Sequence, residues 1–200
     1  IEPSVLRPRK HFDTILYTGT GSANNIVEGL EFSPDMIWVK GRDTNGTEHL
    51  IIDSVRGGTK SLVPNSDDAE STHGGRSMTF YNRGVRWNSD SNTCNANGED
   101  YVLWCWKGGG AAVSNTDGSV TTTVSANPEA GFSIVDYNGG GNGSTMGHGL
   151  GKVPAWILVK KRDSDSPGNA RGWAIFHKSL DADKALRLNS NTSQLSDCLL

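Results

Sequence analysis

The stretch FDTILYTG at residues 12–19 returns 120 residues later as FSIVDYNG at residues 132–139. Each stretch is short, apolar or alternating with a period of two residues, and ends in Gly, which is typical of a strand that runs into a turn. Both stretches are therefore predicted to be β-strands. A pattern that occurs twice at a fixed distance is also the first sign of an internal repeat.

The repeat extends well beyond this first strand. MIWVKGRD at residues 36–43 returns as WILVKKRD at residues 156–163, again 120 residues later. After a short insertion the distance becomes 124 residues and pairs Ile51 with Ile175. Matched apolar, glycine and charged positions in one order indicate two copies of a single module. The first copy is expected to be complete and the second to be cut about halfway, so the chain is expected to be a fragment.

The composition favours many short strands joined by tight turns. The chain has 200 residues, of which 25 are Gly, and only 34% are hydrophobic. Gly, Asn, Asp and Ser are the residues that accept the backbone angles of turns. The one stretch compatible with a helix, residues 179–186, is short. We predict an all-β fold of two tandem β-sandwich or jelly-roll-like modules, the second incomplete.

The repeat divides the chain into four predicted segments. They are an N-terminal arm at 1–11, a first β module at 12–107, a Gly-rich connector with a bridging strand at 108–131, and the truncated second module at 132–200. The glycines of the connector predict flexibility. In the first module, YVLWCWK at 101–107 is apolar on both faces, which predicts a central, buried strand.

Charge and composition exclude several classes of function. The net charge is −3, and the sequence has no basic stripe of the kind that neutralises nucleic-acid phosphates. No apolar run is long enough to cross a bilayer, so membrane insertion is not expected. The three cysteines are too few and too irregularly spaced for a disulfide scaffold or a zinc site. We expect no nucleic-acid partner, no metal and no cofactor.

No catalytic residue is assigned from the sequence. The common motifs for a nucleophile elbow, a phosphate-binding loop or a zinc protease are missing. His148 lies in a Gly-rich loop, but the matching position of the first copy is Glu28, so His148 is not expected to be catalytic. A chain with 22 acidic residues offers the carboxylate pair of a glycosidase by composition alone. The candidates in polar segments are Asp67, Asp68, Glu70, Glu99 and Asp100. The protein is predicted not to be an enzyme.

Aromatic residues next to Asn and Asp are the features that could bind a sugar. The tryptophans inside apolar strand runs are predicted to be core residues: Trp38, Trp104, Trp106 and Trp156. Two other aromatics are predicted at the surface because polar loop residues follow them at once, although edge-strand packing is the alternative for both. The resulting ligand-binding candidates are Tyr81, Trp87, Asn88, Asp90 and Asn92. Calcium binding by the Asn and Asp residues of this set is less favoured than turn capping.

The order and spacing of two long segments resemble a known family. They are EDYVLWCWKGGGAAVSNTDGSVTTTVSANPEAGFSIVDYNG at 99–139 and GHGLGKVPAWILVKKRD at 147–163. They are similar to the tandem β-rich modules of tail-fibre proteins of tailed phages, notably marine and cyanobacterial phages. The resemblance covers nearly all of the chain from residue 12 onward. It implies a virion protein that folds in the host cytoplasm, assembles with other virion proteins and forms homotrimers.

The resemblance predicts a non-enzymatic tail-fibre module that attaches to a glycan of the host surface or acts as a spacer in the fibre. One alternative is a capsid decoration or head-fibre domain. Another is a tailspike-type glycan depolymerase, which would need a carboxylate pair in a groove. The sequence departs from the family pattern in its second copy, which should continue to its own Tyr-Val-x-x-Cys strand.

Overall fold

The computed structural model describes residues 7–43, 46–72, 77–89, 93–163, 172–181 and 183–191. Within these ranges the chain is built from short β-strands, preceded by one turn of 3-10 helix at Pro8–Lys10. The all-β prediction is confirmed. The part of 179–186 that the structure describes forms turns and a short strand rather than a helix. Among the described residues, no helix has the length and apolar character needed to cross a membrane.

The strands are short and pair with antiparallel neighbours. In chain order they are β1 Phe12–Thr18, β2 Asn25–Glu28, β3 Met36–Gly41, β4 Leu50–Asp53, β5 Lys60–Ser61, β6 Ser71–Thr72, β7 Met78–Tyr81, β8 Gly84–Trp87, β9 Asp100–Trp106, β10 Val113–Asn115, β11 Thr122–Asn127, β12 Phe132–Tyr137, β13 Trp156–Val159, β14 Ala174–His177 and β15 Leu186–Arg187. They form sheets with the orders β1-β9-β3-β4, β2-β8-β7, β5-β6, β10-β11-β12 and β13-β14-β15.

The first module is a sandwich of the sheets β1-β9-β3-β4 and β2-β8-β7, which share one hydrophobic core. The central strand β9 pairs with β1 on one side and β3 on the other, as predicted. Its alternate residues Tyr101, Leu103 and Cys105 are 0% exposed and face that core. Burying side chains of this size contributes about 1.5–3 kcal/mol each, so β9 is a main source of the module's stability.

The tryptophans predicted to be core residues differ in burial. Trp38, Trp104 and Trp106 are half-buried, and Trp104 and Trp106 alternate along β9 with the buried core residues. Trp156 is 60% exposed, so the core prediction is wrong for this residue. Trp38 and Trp104 pack edge to face with ring centroids 6.1 Å apart. The outer face of this sheet is thus partly covered by its own aromatics.

The two copies of the repeat have the same strand register. In the first copy β3 and β4 pair Trp38 with Ile51. In the second copy β13 and β14 pair Leu158 with Ile175, which are the residues that match them in sequence. The repeat is therefore conserved in backbone pairing and not only in residue type.

A side-chain contact beside these strands is also repeated. Asn65 Oδ1 accepts a hydrogen bond from the backbone N–H of His49 at 3.2 Å. In the second copy Asn189 Oδ1 accepts from the backbone N–H of Trp173 at 3.0 Å, and both residues stand at the matching positions. The side chain of Asn thus satisfies the matching backbone donor just before β4 in the first copy and just before β14 in the second.

The Gly-rich connector is held by hydrogen bonds. The backbone N–H groups of Gly108 and Gly110 donate to Asp35 Oδ2 at 2.8 and 3.4 Å, and that of Gly109 donates to Ser125 Oγ at 2.9 Å. A Cβ atom at Gly109 would collide with the backbone of Ala126, so this glycine permits a close approach of two chain segments. The connector glycines thus have defined backbone partners, which their composition did not indicate. The bridging segment contains two strands, β10 and β11, and β11 pairs with β12 of the second copy.

An apolar contact joins the two copies. Trp173 is 4% exposed and packs against Ile51 and Leu62 of the first copy, with Leu158 at the edge of the same cluster. Its indole N–H donates to the carbonyl oxygen of Val63 at 2.9 Å. Because a directional hydrogen bond accompanies the buried ring, this contact fixes an orientation as well as a distance.

A group of charged residues adjoins this apolar contact. We call Asp53, Arg56, Glu70 and Arg162 the Arg56 cluster. Arg56 Nε donates to Asp53 Oδ2 at 2.6 Å, and Arg56 Nη1 lies 3.1 Å from Glu70 Oε2. Arg162 of the second copy lies 3.5 Å from the same Glu70 oxygen and 3.2 Å from Asp136. The two copies therefore meet through ion pairs as well as apolar packing.

Candidate functional site

The outer face of the sheet β2-β8-β7 is the candidate site. Val27, Met78 and Trp87 of its three strands are buried in the core of the first module. Because neighbouring residues of a strand point to opposite faces, Ile26 and Arg86 lie on the outer side. Ile26 is 48% exposed there. The sheet thus has one apolar face in the core and one mixed face toward solvent.

Strand register arranges the outer residues in rows. We call the outer residues Ile26, Glu28, Thr79, Tyr81, Arg86 and Asn88 the hairpin face. One row pairs Glu28 with Gly84 and Gly84 with Tyr81. A Cβ atom at Gly84 would collide with the Val27 carbonyl oxygen, so only glycine fits there. With no side chain at the centre of the row, Tyr81 and Glu28 stand on either side of the buried backbone of Gly84.

Hydrogen bonds fix the polar side chains of the next rows. Arg86 Nε donates to Asn88 Oδ1 at 3.3 Å, and Arg86 Nη2 donates to Thr79 Oγ1 at 3.4 Å. Asn88 Nδ2 donates to the same Thr79 oxygen at 3.2 Å. Side chains that are already held in place lose less conformational entropy when a ligand binds. Arg86 and Asn88 are therefore preorganised for polar recognition.

The turn after Tyr81 is anchored to the rest of the module. Arg83 adopts a positive φ of 65° in this turn. Its Nε donates to the Leu30 carbonyl oxygen at 2.7 Å, and its own carbonyl accepts from the N–H groups of Gly29 and Leu30 at 3.2 and 3.1 Å. Arg83 thus holds the turn in place, and Tyr81 extends from a fixed piece of backbone.

The structure separates the residues that the sequence grouped as ligand candidates. Tyr81 is 37% exposed on the hairpin face, and Asn88 is half-buried there. Trp87 is 0% exposed, so its prediction as a surface residue is wrong. The physical reason is the alternation of β8, which turns Trp87 inward while Arg86 turns outward. Asp90 and Asn92 lie outside the described residues.

Four residues of the hairpin face were not predicted from the sequence: Ile26, Glu28, Thr79 and Arg86. Applying the two-residue period to GVRW at 84–87 would have placed Arg86 opposite Trp87 and identified it as the outward residue. Glu28 had no comparable signal, because β2 was not predicted as a strand. In the second copy its counterpart His148 lies in a loop, where its Nδ1 accepts from the Leu150 N–H at 3.2 Å.

A concave groove lies where the first module meets the connector. It encloses about 570 Å³ and is lined by His11, Asp35, Lys107, Asn127 and Glu129 with the connector glycines. His11 Nε2 is 3.6 Å from Glu129 Oε1, and its Nδ1 is 3.0 Å from Asn127 Nδ2. Asp35 accepts the connector N–H groups described above. These polar groups mainly satisfy one another, so the groove holds the connector rather than presenting free groups to a ligand.

Glu70 and Asp100, two of the carboxylates considered for glycosidase chemistry, have structural partners. Glu70 belongs to the Arg56 cluster. Asp100 accepts a hydrogen bond from Thr18 Oγ1 at 2.7 Å and lies 3.9 Å from Arg42. Within the described ranges, no group of three or more His, Cys, Asp or Glu side chains could hold a metal ion.

One family model matches this chain. It is described as a domain of unknown function, DUF7483, and it matches residues 7–199. The chain belongs to the DUF7483 family. In this DUF7483 chain the match spans both copies of the repeat and the connector between them. No curated protein and no solved structure matches the chain.

Proposed function

We propose that this DUF7483 chain is a non-enzymatic adhesion module that binds a cell-surface glycan through the hairpin face. The observation that carries the proposal is the arrangement of Tyr81 and Glu28 across Gly84, beside the hydrogen-bonded pair of Arg86 and Asn88. These groups lie on a rigid sheet and face outward.

The chemistry of the hairpin face suits a sugar. An aromatic ring can stack on the C–H face of a pyranose while its hydroxyl stays in water. Sugar hydroxyls both donate and accept hydrogen bonds, and the guanidinium of Arg86, the amide of Asn88 and the carboxylate of Glu28 together offer donors and acceptors. The face is shallow, so each contact is expected to be weak. Several copies on one particle would raise the overall affinity.

The proposed setting is the tail fibre of a tailed phage, where a homotrimer of this chain joins other virion proteins. The resemblance of segments 99–139 and 147–163 to tail-fibre modules supports this setting, and the fixed contact between the two copies suits a fibre that must keep its shape. Immunogold labelling of virions that carry the protein is expected to mark the distal ends of fibres. Label on the head would favour a capsid decoration domain instead. Particles without label would contradict a virion role.

Replacing Tyr81 with Ala is expected to weaken glycan binding about tenfold or more, because stacking contributes about 0.5–1.5 kcal/mol beyond the apolar area that is lost. Binding would be measured on a glycan array and on immobilised lipopolysaccharide. Tyr137→Ala is the matched control, since Tyr137 is 36% exposed against 37% for Tyr81 but lies at the end of β12. Equal losses in both variants, or a wild-type chain that binds no glycan, would contradict the proposal. Release of reducing sugar ends from the bound polysaccharide would contradict its non-enzymatic part.

A further inference from the structure

The arginine at the centre of the hairpin face has no carboxylate partner among the described residues. Arg86 belongs to the middle strand β8, with Ile26 opposite it on β2 and Thr79 opposite it on β7. Its hydrogen-bond partners are neutral groups, the Asn88 amide and the Thr79 hydroxyl. Four other arginines each lie within 3.9 Å of a carboxylate: Arg9, Arg42, Arg56 and Arg162. The charge of Arg86 is therefore left without an ion-pair partner on a face that points to solvent.

The guanidinium of Arg86 keeps one pair of donors free. Of its five N–H groups, the one on Nε is used by Asn88 and one on Nη2 is used by Thr79. The fork formed by Nη1 and the second N–H of Nη2 has no acceptor in the part of the chain that the structure describes. Trp87 Nε1 is the one buried side-chain nitrogen or oxygen without a partner there, so the unpartnered Nη1 of Arg86 reaches solvent. Such a planar fork fits the two oxygens of a carboxylate.

The residues around this fork suit a sugar that carries a single acid group. Tyr81 and Glu28 lie in the next row, each on a diagonal from Arg86, and diagonal neighbours on one face of a sheet are about 7–8 Å apart. The Glu28 carboxylate accepts hydrogen bonds and cannot donate them, so it fits the hydroxyl groups of a ligand. Its negative charge also repels a second anionic group. The face thus has one position for an anion and a separate position for hydroxyls.

We propose that the glycan bound by the hairpin face is acidic and that Arg86 binds the carboxylate of a uronic or ulosonic acid in it. The carboxylate accepts both N–H groups of the free fork, while the sugar ring packs on Tyr81 and a hydroxyl donates to Glu28. This inference rests on the proposed glycan binding and names its ligand class. Glu28 favours a single carboxylate over a phosphate or sulfate polymer, because it would repel the denser charge of such a polymer.

Removing the charge of the ligand tests this inference without altering the protein. Capsular polysaccharides and lipopolysaccharides that contain uronic or ulosonic acids would be immobilised in native form and after chemical reduction of their carboxyl groups to alcohols. The wild-type chain is expected to bind the native form about tenfold or more tightly than the reduced form, because hydrogen bonds to a charged acceptor are stronger than those to a neutral one. Added salt should weaken binding to the native form alone.

Three results of this experiment would overturn the inference, and they separate it from the proposed function. Equal binding of native and reduced glycans would reject the role of the carboxylate and leave glycan binding standing. Tighter binding to a phosphomannan than to any carboxylated glycan would reject the carboxylate in favour of a phosphate. Binding to no glycan in either form would reject the proposed function and this inference together.

Variants of the full chain test the same site from the protein side. Arg86→Gln removes the charge and is expected to weaken binding to the native glycan about tenfold while leaving binding to the reduced glycan unchanged. Tyr81→Ala should weaken binding to both forms by the same factor, because stacking does not depend on the carboxyl group. Arg42→Gln is the control, since Arg42 is an exposed arginine outside the hairpin face and should have no effect. Equal losses on both glycan forms for Arg86→Gln would contradict the inference.

Arg86→Lys separates the charge of this residue from the geometry of its fork. Lysine keeps the positive charge as a point and cannot offer two parallel donors to one carboxylate. Its preference for the native glycan is therefore expected to be smaller than that of the wild type and larger than that of Arg86→Gln. A lysine variant with the full preference of the wild type would contradict the fork. The hydrogen bond from Asn88 to Thr79 does not involve Arg86, so both variants keep it, and circular dichroism would verify that they are folded.

Discussion

Trp87→Ala is expected to lower the free energy of unfolding of the first module by about 3–5 kcal/mol, because it removes a large side chain from a packed core and leaves a cavity. Trp87 is 0% exposed and belongs to the core shared by both sheets of the sandwich. A loss of this size is comparable to the whole stability of many small domains. Urea unfolding followed by circular dichroism would measure it on the full chain.

Trp87→Phe is the informative control. Among the described residues the Trp87 indole N–H is buried without a hydrogen-bond partner. Burial raises the pKa of Tyr17 well above its usual value, and the Trp87 N–H is near enough to oppose that rise, although it lies outside hydrogen-bonding geometry. Phe keeps most of the apolar volume and removes the unpaired donor, so it should cost clearly less than Ala. A stable Trp87→Ala protein with impaired glycan binding would instead restore the surface role that the sequence suggested.

Arg56→Met is expected to cost about 3–5 kcal/mol, because it leaves the carboxylates of the Arg56 cluster buried without their main counter-charge. The side chains of Arg56 and Asp53 are 5% and 6% exposed, and that of Glu70 is 12% exposed. Arg42→Met is the matched control, since Arg42 and Asp100 form a pair that is 47% and 42% exposed. Exposed pairs contribute about 0–1 kcal/mol. Equal losses of stability in guanidinium unfolding would show that the Arg56 cluster is not a buried network.

The same cluster predicts a dependence of stability on pH. Burial alone would raise the pKa of Glu70, but the hydrogen bond and charge of Arg56, with the charges of Arg162 and Lys60, lower it below its usual value. A carboxyl whose pKa is lower in the folded state stabilises the fold above its unfolded pKa, which is about 4.3 for Glu. That contribution is lost as the pH falls through the lower, folded pKa. As the pH is lowered below about 4.3, the free energy of unfolding should therefore fall more steeply for the wild type than for Glu70→Gln.

Local pattern predicted much of the fold because the strands are short and repeated. The match of Ile51 with Ile175 already aligned the two hairpins, because the four-residue insertion lengthens only the loop of the second one and leaves the paired strands matched. The alternation of YVLWCWK likewise placed β9 at the centre of its sheet. These predictions needed only the period of a strand and the distance between the two copies.

The candidate site was harder to predict from the sequence than the fold. The polar residues that follow Trp87 did not indicate its exposure, since the next residue along a strand faces the other way. The Arg56 cluster joins Arg162 to Glu70 across 92 residues of chain, and no local pattern marks such a pairing. The connector glycines looked flexible by composition, but Asp35 and Ser125, distant in sequence, bind their N–H groups. Contacts of this kind are set by the packing of the whole chain.

The residues of the Arg56 cluster differ between the two copies of the repeat. The positions of the second copy that match Asp53 and Arg56 are His177 and Leu180, while Arg42 matches Arg162. Only the first half has these acids, and only the second half contributes an arginine to them from across the contact. If the two halves exchanged places along the chain, Arg42 would take the place of Arg162 in the contact between the copies. It would then face His177 and Leu180 in place of Asp53 and Arg56, and would lack the carboxylate of Asp53. The ion pairs between the two copies therefore form only when the halves stand in this order along the chain.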